Sequence, residues 1–276
     1  MMQEFVMCKC PICSIEMRYV FSARLLNKYE VKYYYCSECG LLKTEKPYWL
    51  EEAYSSAIAS TDTGLVMRNN SIGRKLASVL FGVLAERGQG FYVDIAGGYG
   101  MLTRVMRDYG FNFFWSDKYC ENLMARGFDY YPELGVCRAV TAIEIMEHLE
   151  DPLGFIRDAL KNVNADTFIF TTELFEGKPP VPGSWWYYSF ETGQHIVFFQ
   201  RQTLEVIAKK IGLYFVSEGG IHIFSKYPLS KNLLKLFTSR FSIFFSWLSR
   251  KVLGTKVIVD HHKIVDAISN KSISKE

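Results

Sequence analysis

A short apolar run, Phe91–Ile95, leads directly into Asp94-Ile95-Ala96-Gly97-Gly98-Tyr99-Gly100, and a helical pattern follows at Met101–Tyr109. Small residues at such a strand-to-helix turn let a ligand come close to the backbone, and the helix N-terminus points its free N–H groups at it. The unit also constrains the fold, because a strand that returns beside the first after a helical crossover lies parallel to it. Further strands are predicted at Phe111–Ser116, Arg138–Ile145 and Thr167–Thr172, with helices at Pro152–Val163 and Gln202–Ile211, the latter closed by Gly212. Upstream, Leu76, Val79, Leu80, Val83 and Leu84 recur at helical spacing over Gly73–Glu86, and Gly88-Gln89-Gly90 breaks that helix. The expected fold class is α/β, with a doubly wound, mostly parallel sheet.

A second constraint lies at the N-terminus. Five of the seven cysteines fall within the first 39 residues, and four form two pairs, Cys10-x-x-Cys13 and Cys36-x-x-Cys39. Each pair turns two sulfurs toward one point, so the four thiolates suit a tetrahedral structural zinc ion with no open coordination position. Gly40 permits a tight turn after the last ligand, and Val31–Tyr35 is the clearest strand of the intervening hairpin. Cys8 is left over. Nothing near Met1 reads as a signal peptide and no window approaches the ~20 apolar residues of a spanning helix, so the expected location is the cytoplasm, where thiols stay reduced.

The expected organisation is a zinc ribbon at 1–45, a helical linker or lid at 46–90, an α/β domain at 91–225 and a basic, strongly apolar helical tail at 226–276. The overall net charge of +3 does not by itself imply a nucleic-acid partner.

Asp117 ends the second predicted strand about twenty residues past the glycine turn, where a carboxylate can bind ribose hydroxyls. The turn resembles the first motif of class I methyltransferases, an acidic residue followed by alternating glycines. Asp94, Gly98 and Gly100 match it, and Ala96 stands where the first glycine would be, beside Gly97. A positive φ at Ala96 would be unfavourable. The dinucleotide fingerprint lacks its third glycine, since Met101, Leu102 and Thr103 follow Gly100. The resemblance therefore implies S-adenosylmethionine as cofactor, held by Asp94, Ala96, Gly97, Gly98, Gly100 and Asp117.

Further segments extend this resemblance: Trp115 to Phe128, Thr141 to Pro152, Trp185-Trp186-Tyr187-Tyr188 and Gly193-Gln194-His195. Together they resemble methyltransferases of types 23 and 12, in particular those found with bacterial surface-polysaccharide genes. That implies O-methylation of a sugar or glycan acceptor, and the apolar tail suits either a membrane surface, as a lipid-linked acceptor would use, or internal packing. Within Thr141 to Pro152, Glu144-x-x-Glu147-His148 lies at the end of a parallel strand, where such sheets place their ligands. With His195 these residues suit either a divalent metal site of O and N ligands or metal-free base catalysis by a histidine. The structural alternatives are that Glu147 and His148 cap the next helix or pair with each other, and that His195 is a hydrogen-bonded loop residue. The four aromatics after Pro179–Gly183 fit either a substrate lid or a loop folded onto its own core. Two other functions stand beside the first: an RNA-modifying 2′-O-methyltransferase, and a catalytically silent zinc-dependent adaptor.

Overall fold

The computed structural model describes residues 8–54, 61–84 and 90–273. Four strands open the chain: β1 (Cys8–Lys9), β2 (Glu16–Leu25), β3 (Tyr29–Tyr35) and β4 (Leu42–Thr44). Helices α1 (Leu50–Ala53) and α2 (Leu65–Gly82) follow. The expected end of α2 at Glu86 and the Gly88-Gln89 break lie outside the described residues. Then come β5 (Phe91–Ile95), α3 (Met101–Asp108), β6 (Phe113–Ser116), β7 (Cys137–Ile143), α4 (Pro152–Asn162), β8 (Thr167–Thr171) and β9 (Val197–Phe198). The chain ends with α5 (Arg201–Ile211), β10 (Tyr214–Glu218), β11 (Ile221–Ser225), α6 (Lys231–Thr238), α7 (Ser242–Leu253) and α8 (Val257–Ile273).

The main sheet has the order β10-β11-β8-β7-β5-β6. β6, β5, β7 and β8 run parallel, and β11 is antiparallel to both of its neighbours. Beyond β6, a single parallel bridge between Trp115 and Asp129 extends the edge. Alternate residues of each strand enter different cores, as the strand period of two requires. Val93, Val140, Ala142, Phe168 and Phe170 face Ile156 of α4 and Leu204 and Ile207 of α5. Tyr92, Ala139, Ile169 and Ile223 face Leu76, Val79 and Leu80 of α2, Leu102 and Met106 of α3, and Leu234 of α6. This is the doubly wound, mostly parallel α/β fold expected, with helices on both faces.

The N-terminal strands form a second, antiparallel sheet, β1-β2-β3-β4-β9. Its last strand comes from the α/β domain, with Leu42 opposite Phe198 and Lys43 opposite Val197. The ribbon's Val31, Tyr33 and Leu42 share one continuous core with Tyr187, Tyr188, Phe198 and the β7–β8 face of the main sheet.

The tail is docked by charge as well as apolar contact. Asp260 of α8 accepts two hydrogen bonds from Arg107 of α3, Nε to Oδ2 at 2.7 Å and a terminal nitrogen to Oδ1 at 2.6 Å. Both side chains are buried, and the guanidinium also lies over the Phe128 ring. Removing one partner of such a pair leaves the other charge buried without compensation. We expect Asp260→Ala to lower the unfolding free energy by about 3 kcal/mol, measured by urea denaturation.

Candidate functional site

The glycine turn sits at the C-terminal end of β5, at the N-terminus of α3. Asp94 is buried, accepts hydrogen bonds from Thr141 Oγ1 at 2.7 Å and Thr103 Oγ1 at 3.4 Å, and is pushed up to about 7 by that burial. Three residues of the turn, Ala96, Gly98 and Gly100, have positive φ. Gly100 has a steric reason as well, since a Cβ there would stand 2.7 Å from Asn122 Oδ1. Asp117 at the mouth of the turn accepts from the Gly98 amide at 2.9 Å through one oxygen. Its other oxygen takes the amides of Tyr119 and Cys120. Trp115 Nε1 donates to the Gly98 carbonyl at 2.8 Å. The cofactor residues named from sequence thus converge on one turn and the adjoining strand end.

A second group lies across the strand ends. After β7 the chain turns at Glu144, whose φ is +53°, into a short 3₁₀ turn at Met146–His148. The Thr171 hydroxyl holds this turn, accepting from the Glu144 amide at 3.0 Å and donating to its Oε1 at 2.5 Å. Burial and the nearby Glu147 carboxylate push Glu144 up to about 7. Glu147, His148 and His195 each bring one ligand atom within 4.8 Å of the other two, whereas Glu144 stands beside this trio and not in it. The capping alternative fails for Glu147 and His148, because Asp151 caps α4, accepting from the Gly154 amide at 2.9 Å.

The proton positions on both imidazoles follow from their partners. His148 Nδ1 lies 3.0 Å from the Gln194 carbonyl and His195 Nδ1 2.7 Å from the Tyr187 carbonyl. A carbonyl can only accept, which favours the Nδ1–H tautomer for each neutral ring, with Nε2 carrying the lone pair; the Tyr54 hydroxyl, 2.8 Å from His148 Nδ1, can accept from that same N–H. Burial, with the neighbouring His195 second, depresses His148 to about 3. His148 Nε2 is 3.9 Å from a Glu147 oxygen. Glu147 itself is fully buried, and neither of its carboxylate oxygens has a hydrogen-bond partner among the described residues.

Tyr54, Trp49 and Arg68 have no signature of their own in the sequence, whereas Gln194 lies in the Gly193-Gln194-His195 segment. Tyr54, just past α1, places its hydroxyl 2.8 Å from His148 Nδ1. Gln194 is held by its side-chain nitrogen donating to the Ala53 carbonyl, and Trp49 Nε1 donates to the Gly193 carbonyl. Arg68 of α2 forms a two-point ion pair with Asp62 and lies close enough to Glu144 and Glu147 to feel their charge.

The four cysteines converge as well. Cys10 and Cys39 sulfurs are 3.5 Å apart, those of Cys13 and Cys36 3.3 Å, and all four lie within 4.8 Å of one another. A tetrahedral Zn–S site with bonds of about 2.3 Å has sulfur separations of roughly 3.8 Å, so the donor set fits one zinc ion. The second knuckle rests on the α/β domain. Thr203 Oγ1 donates to the Cys39 carbonyl at 2.8 Å and Gln202 to that of Glu38 at 2.6 Å, and any side chain at Gly40 would strike Gln200.

The aromatic segment is mostly core. Tyr187 and Tyr188 are fully buried, Tyr188 stacks on Phe190 and meets the ribbon's Phe21 and Tyr33 edge-on, and Trp185 packs on Phe198. Trp186 alone of the four is exposed, at 76%.

Residues 72–218, more than half of the chain and including the glycine turn and Asp117, match the methyltransferase-domain family of type 23. The chain belongs to that family. Among solved structures, TnmH is similar over 65% of this chain and 60% of its own, at 16% identity and a TM-score of 0.45. The mitomycin 7-O-methyltransferase MmcR is similar over 64% of this chain and 59% of its own, at 12% identity and a TM-score of 0.41. The small RNA methyltransferase HEN1 is similar over 64% and 27%, at 14% identity and 0.39. The chain spans about 60% of the length of the first two. No curated protein matches it significantly.

Ala96 is the one residue of the turn that is not glycine where the backbone is left-handed, with φ of +53°. An L-residue there is strained by about 1–2 kcal/mol, and a glycine would lose roughly 0.4–1 kcal/mol of that through the freer unfolded chain. Ala96→Gly is expected to raise the unfolding free energy by up to about 1 kcal/mol in a denaturant titration, and to retain cofactor binding.

Proposed function

We propose that this methyltransferase transfers the methyl group to a hydroxyl oxygen of a sugar or glycan, of the kind found in bacterial surface polysaccharides, with a divalent cation held by Glu147, His148 and His195. The observation that carries the metal is the buried Glu147 carboxylate. Neither of its oxygens has a hydrogen-bond donor among the described residues, and a buried charge is costly unless it is paired or coordinates a metal. Two imidazole nitrogens with bare lone pairs stand beside it, each ring oriented by a carbonyl on its far nitrogen, which is the arrangement that metal-binding histidines take. A neutral His148 is a ligand, and its depressed pKa makes it a poor proton acceptor at neutral pH.

A divalent cation in this place supplies Lewis-acid chemistry, lowering the pKa of a bound hydroxyl. The chain's own residues do the rest. The Asp94–Gly100 turn and Asp117 would hold the cofactor at the C-terminal ends of β5 and β6, and the loop that carries His195 lies beside the Glu147–His148 turn. Glu144, raised to about 7, stands where it can take up the acceptor's proton near neutral pH. The methyl group is already activated, so alignment of oxygen, carbon and sulfur is the main task left to the protein.

The sugar acceptor is supported by the family resemblance of Thr141 to Pro152 and Gly193-Gln194-His195. A polyanionic RNA acceptor fits the charge less well, since residues 1–225 carry 22 Lys and Arg against 26 Asp and Glu. A silent adaptor does not account for a buried carboxylate left open beside two oriented imidazoles. The zinc reading of the cysteines gives the ribbon a structural role, and through Thr203 and β9 it supports the loop that carries His195.

The test follows labelled methyl from S-adenosylmethionine into fractionated bacterial extract. Label in glycan or glycolipid supports this reading, and label in RNA overturns it. Glu147→Gln and His195→Ala are each expected to lower kcat at least a hundredfold while cofactor affinity changes little, with Mg or Mn stimulation lost. Retained, metal-independent activity in both variants would sink the metal site. Zinc content measured alongside keeps the two metals apart: Cys36→Ser is expected to lose bound zinc and lower the melting temperature, whereas Glu147→Gln keeps its zinc.

A further inference from the structure

The tail helix α7 is packed the opposite way round from an ordinary surface helix. Ser242, Ser246 and Ser249 are its buried residues. They lie three and four apart, on one face, and small residues there let two helix backbones come close. The Ser246 and Ser249 hydroxyls are satisfied within the helix itself, donating to the Ile243 and Ser246 carbonyls. The opposite face is apolar and open to solvent: Phe241, Ile243, Phe244, Trp247 and Val252 are each about half exposed or more. An amphipathic helix normally buries its apolar stripe. A face of this kind marks a site for something that is not water.

The charge around it says what. The overall +3 conceals a division: residues 226–276 hold ten Lys and Arg against three acids, a net +7, while residues 1–225 are net −4. From Gly219 to Val259 there is no Asp or Glu at all, and seven Lys or Arg. Basic groups edge the aromatic face directly, with Arg240 over the Phe241 ring at 5.4 Å and Lys251 over Trp247 at 5.9 Å. Aromatic and aliphatic residues flanked by cations that reach outward are what a helix lying in a lipid headgroup layer requires. A second copy of this chain suits the face poorly, because a two-fold contact sets cations against cations with no carboxylate from this stretch to meet them. No helix among the described residues is long and apolar enough to cross a membrane.

We propose that α7 docks the methyltransferase on the surface of an anionic phospholipid bilayer, with Phe241, Ile243, Phe244 and Trp247 in the headgroup–acyl boundary and Arg240, Arg250 and Lys251 at the lipid phosphates. The inference stands on α7 alone and does not depend on the identity of the acceptor. Membrane docking would bring the site to acceptors carried on lipid.

The full-length protein is mixed with vesicles of phosphatidylcholine alone or with 30% phosphatidylglycerol, and binding is read by co-sedimentation. Binding to the anionic vesicles is expected, weakening several-fold for each basic residue reversed in Arg250→Glu and Lys251→Glu, since each contributes about 1 kcal/mol near such a surface. Phe244→Ser with Trp247→Ser is expected to reduce binding at least tenfold while the melting temperature and S-adenosylmethionine affinity stay unchanged. Brominated lipid quenches tryptophan fluorescence in the parent and not in Trp247→Phe. Three results overturn the proposal: equal binding to both vesicle types, full binding by the double serine variant, or no vesicle binding together with a dimer that the double variant dissociates.

Discussion

The structure depends on a two-residue strand. β9, Val197–Phe198, is the edge to which the ribbon sheet attaches through β4, and the residue that opens its segment, Ile196, donates its amide to the Glu147 carbonyl. The same short stretch therefore joins the cysteine module to one side and the 3₁₀ turn bearing Glu147 and His148 to the other. Its backbone position is enforced by aromatic packing: Phe198 lies among Tyr33, Trp185, Tyr187 and Tyr188, rings drawn from both modules. Burying four or five such rings contributes far more than the two backbone hydrogen-bonding pairs of the strand. The ribbon is thus a wall of the catalytic domain's core, and the segment 188–198 is clamped between them, with Leu26 donating to Phe190 and Thr44 to Ile196.

That clamp bears on the chemistry because the site is assembled under local strain. Glu144 and Ala96 both end parallel strands with φ of +53°, a conformation that side chains other than glycine rarely hold. Glu147 is fully buried, with no hydrogen-bond partner for its carboxylate oxygens among the described residues. Such features persist only where the surroundings over-determine them. Here the Thr171 hydroxyl ties the Glu144 turn at two points, and Gln194, itself fixed by Ala53, sets the His148 ring.

Much of this was legible in the sequence and some could not have been. The parallel strands and their helices follow from apolar runs of period two and 3.6, and the observed ends of β5, α4 and α5 lie within a residue or so of the expected ones. The β10–β11 hairpin and β9 passed unread, the latter because two residues carry no period and its pairing is entirely tertiary. The four sulfurs and the trio Glu147, His148 and His195 were predictable from spacing and residue type. Glu144 was expected among the ligands, yet its left-handed backbone turns it to Thr171, which only the fold reveals. Trp185 to Tyr188 read equally as lid or core, because an aromatic run does not say whether another module will cover it. Tyr54 and Arg68 are ordinary residues brought to the site from far along the chain, whereas Gln194 lies in the Gly193-Gln194-His195 segment beside its histidine.

The tail shows the same limit from the other direction. Its apolar residues are plain in the sequence, and by periodicity alone Phe241, Phe244 and Trp247 belong to a buried stripe. What reverses the helix is the serine row at 242, 246 and 249, which is small enough to let α7 lie close on α2 where larger side chains would hold it away. Burial of small polar residues whose hydroxyls bond back to their own helix costs little. Turning five aromatic and aliphatic side chains to water forfeits the hydrophobic stabilisation they would have brought to the core, at roughly 1.5–3 kcal/mol for each large residue fully buried. A chain that keeps so unfavourable an orientation, and clears its neighbourhood of acids over forty residues, is arranged for a surface outside itself.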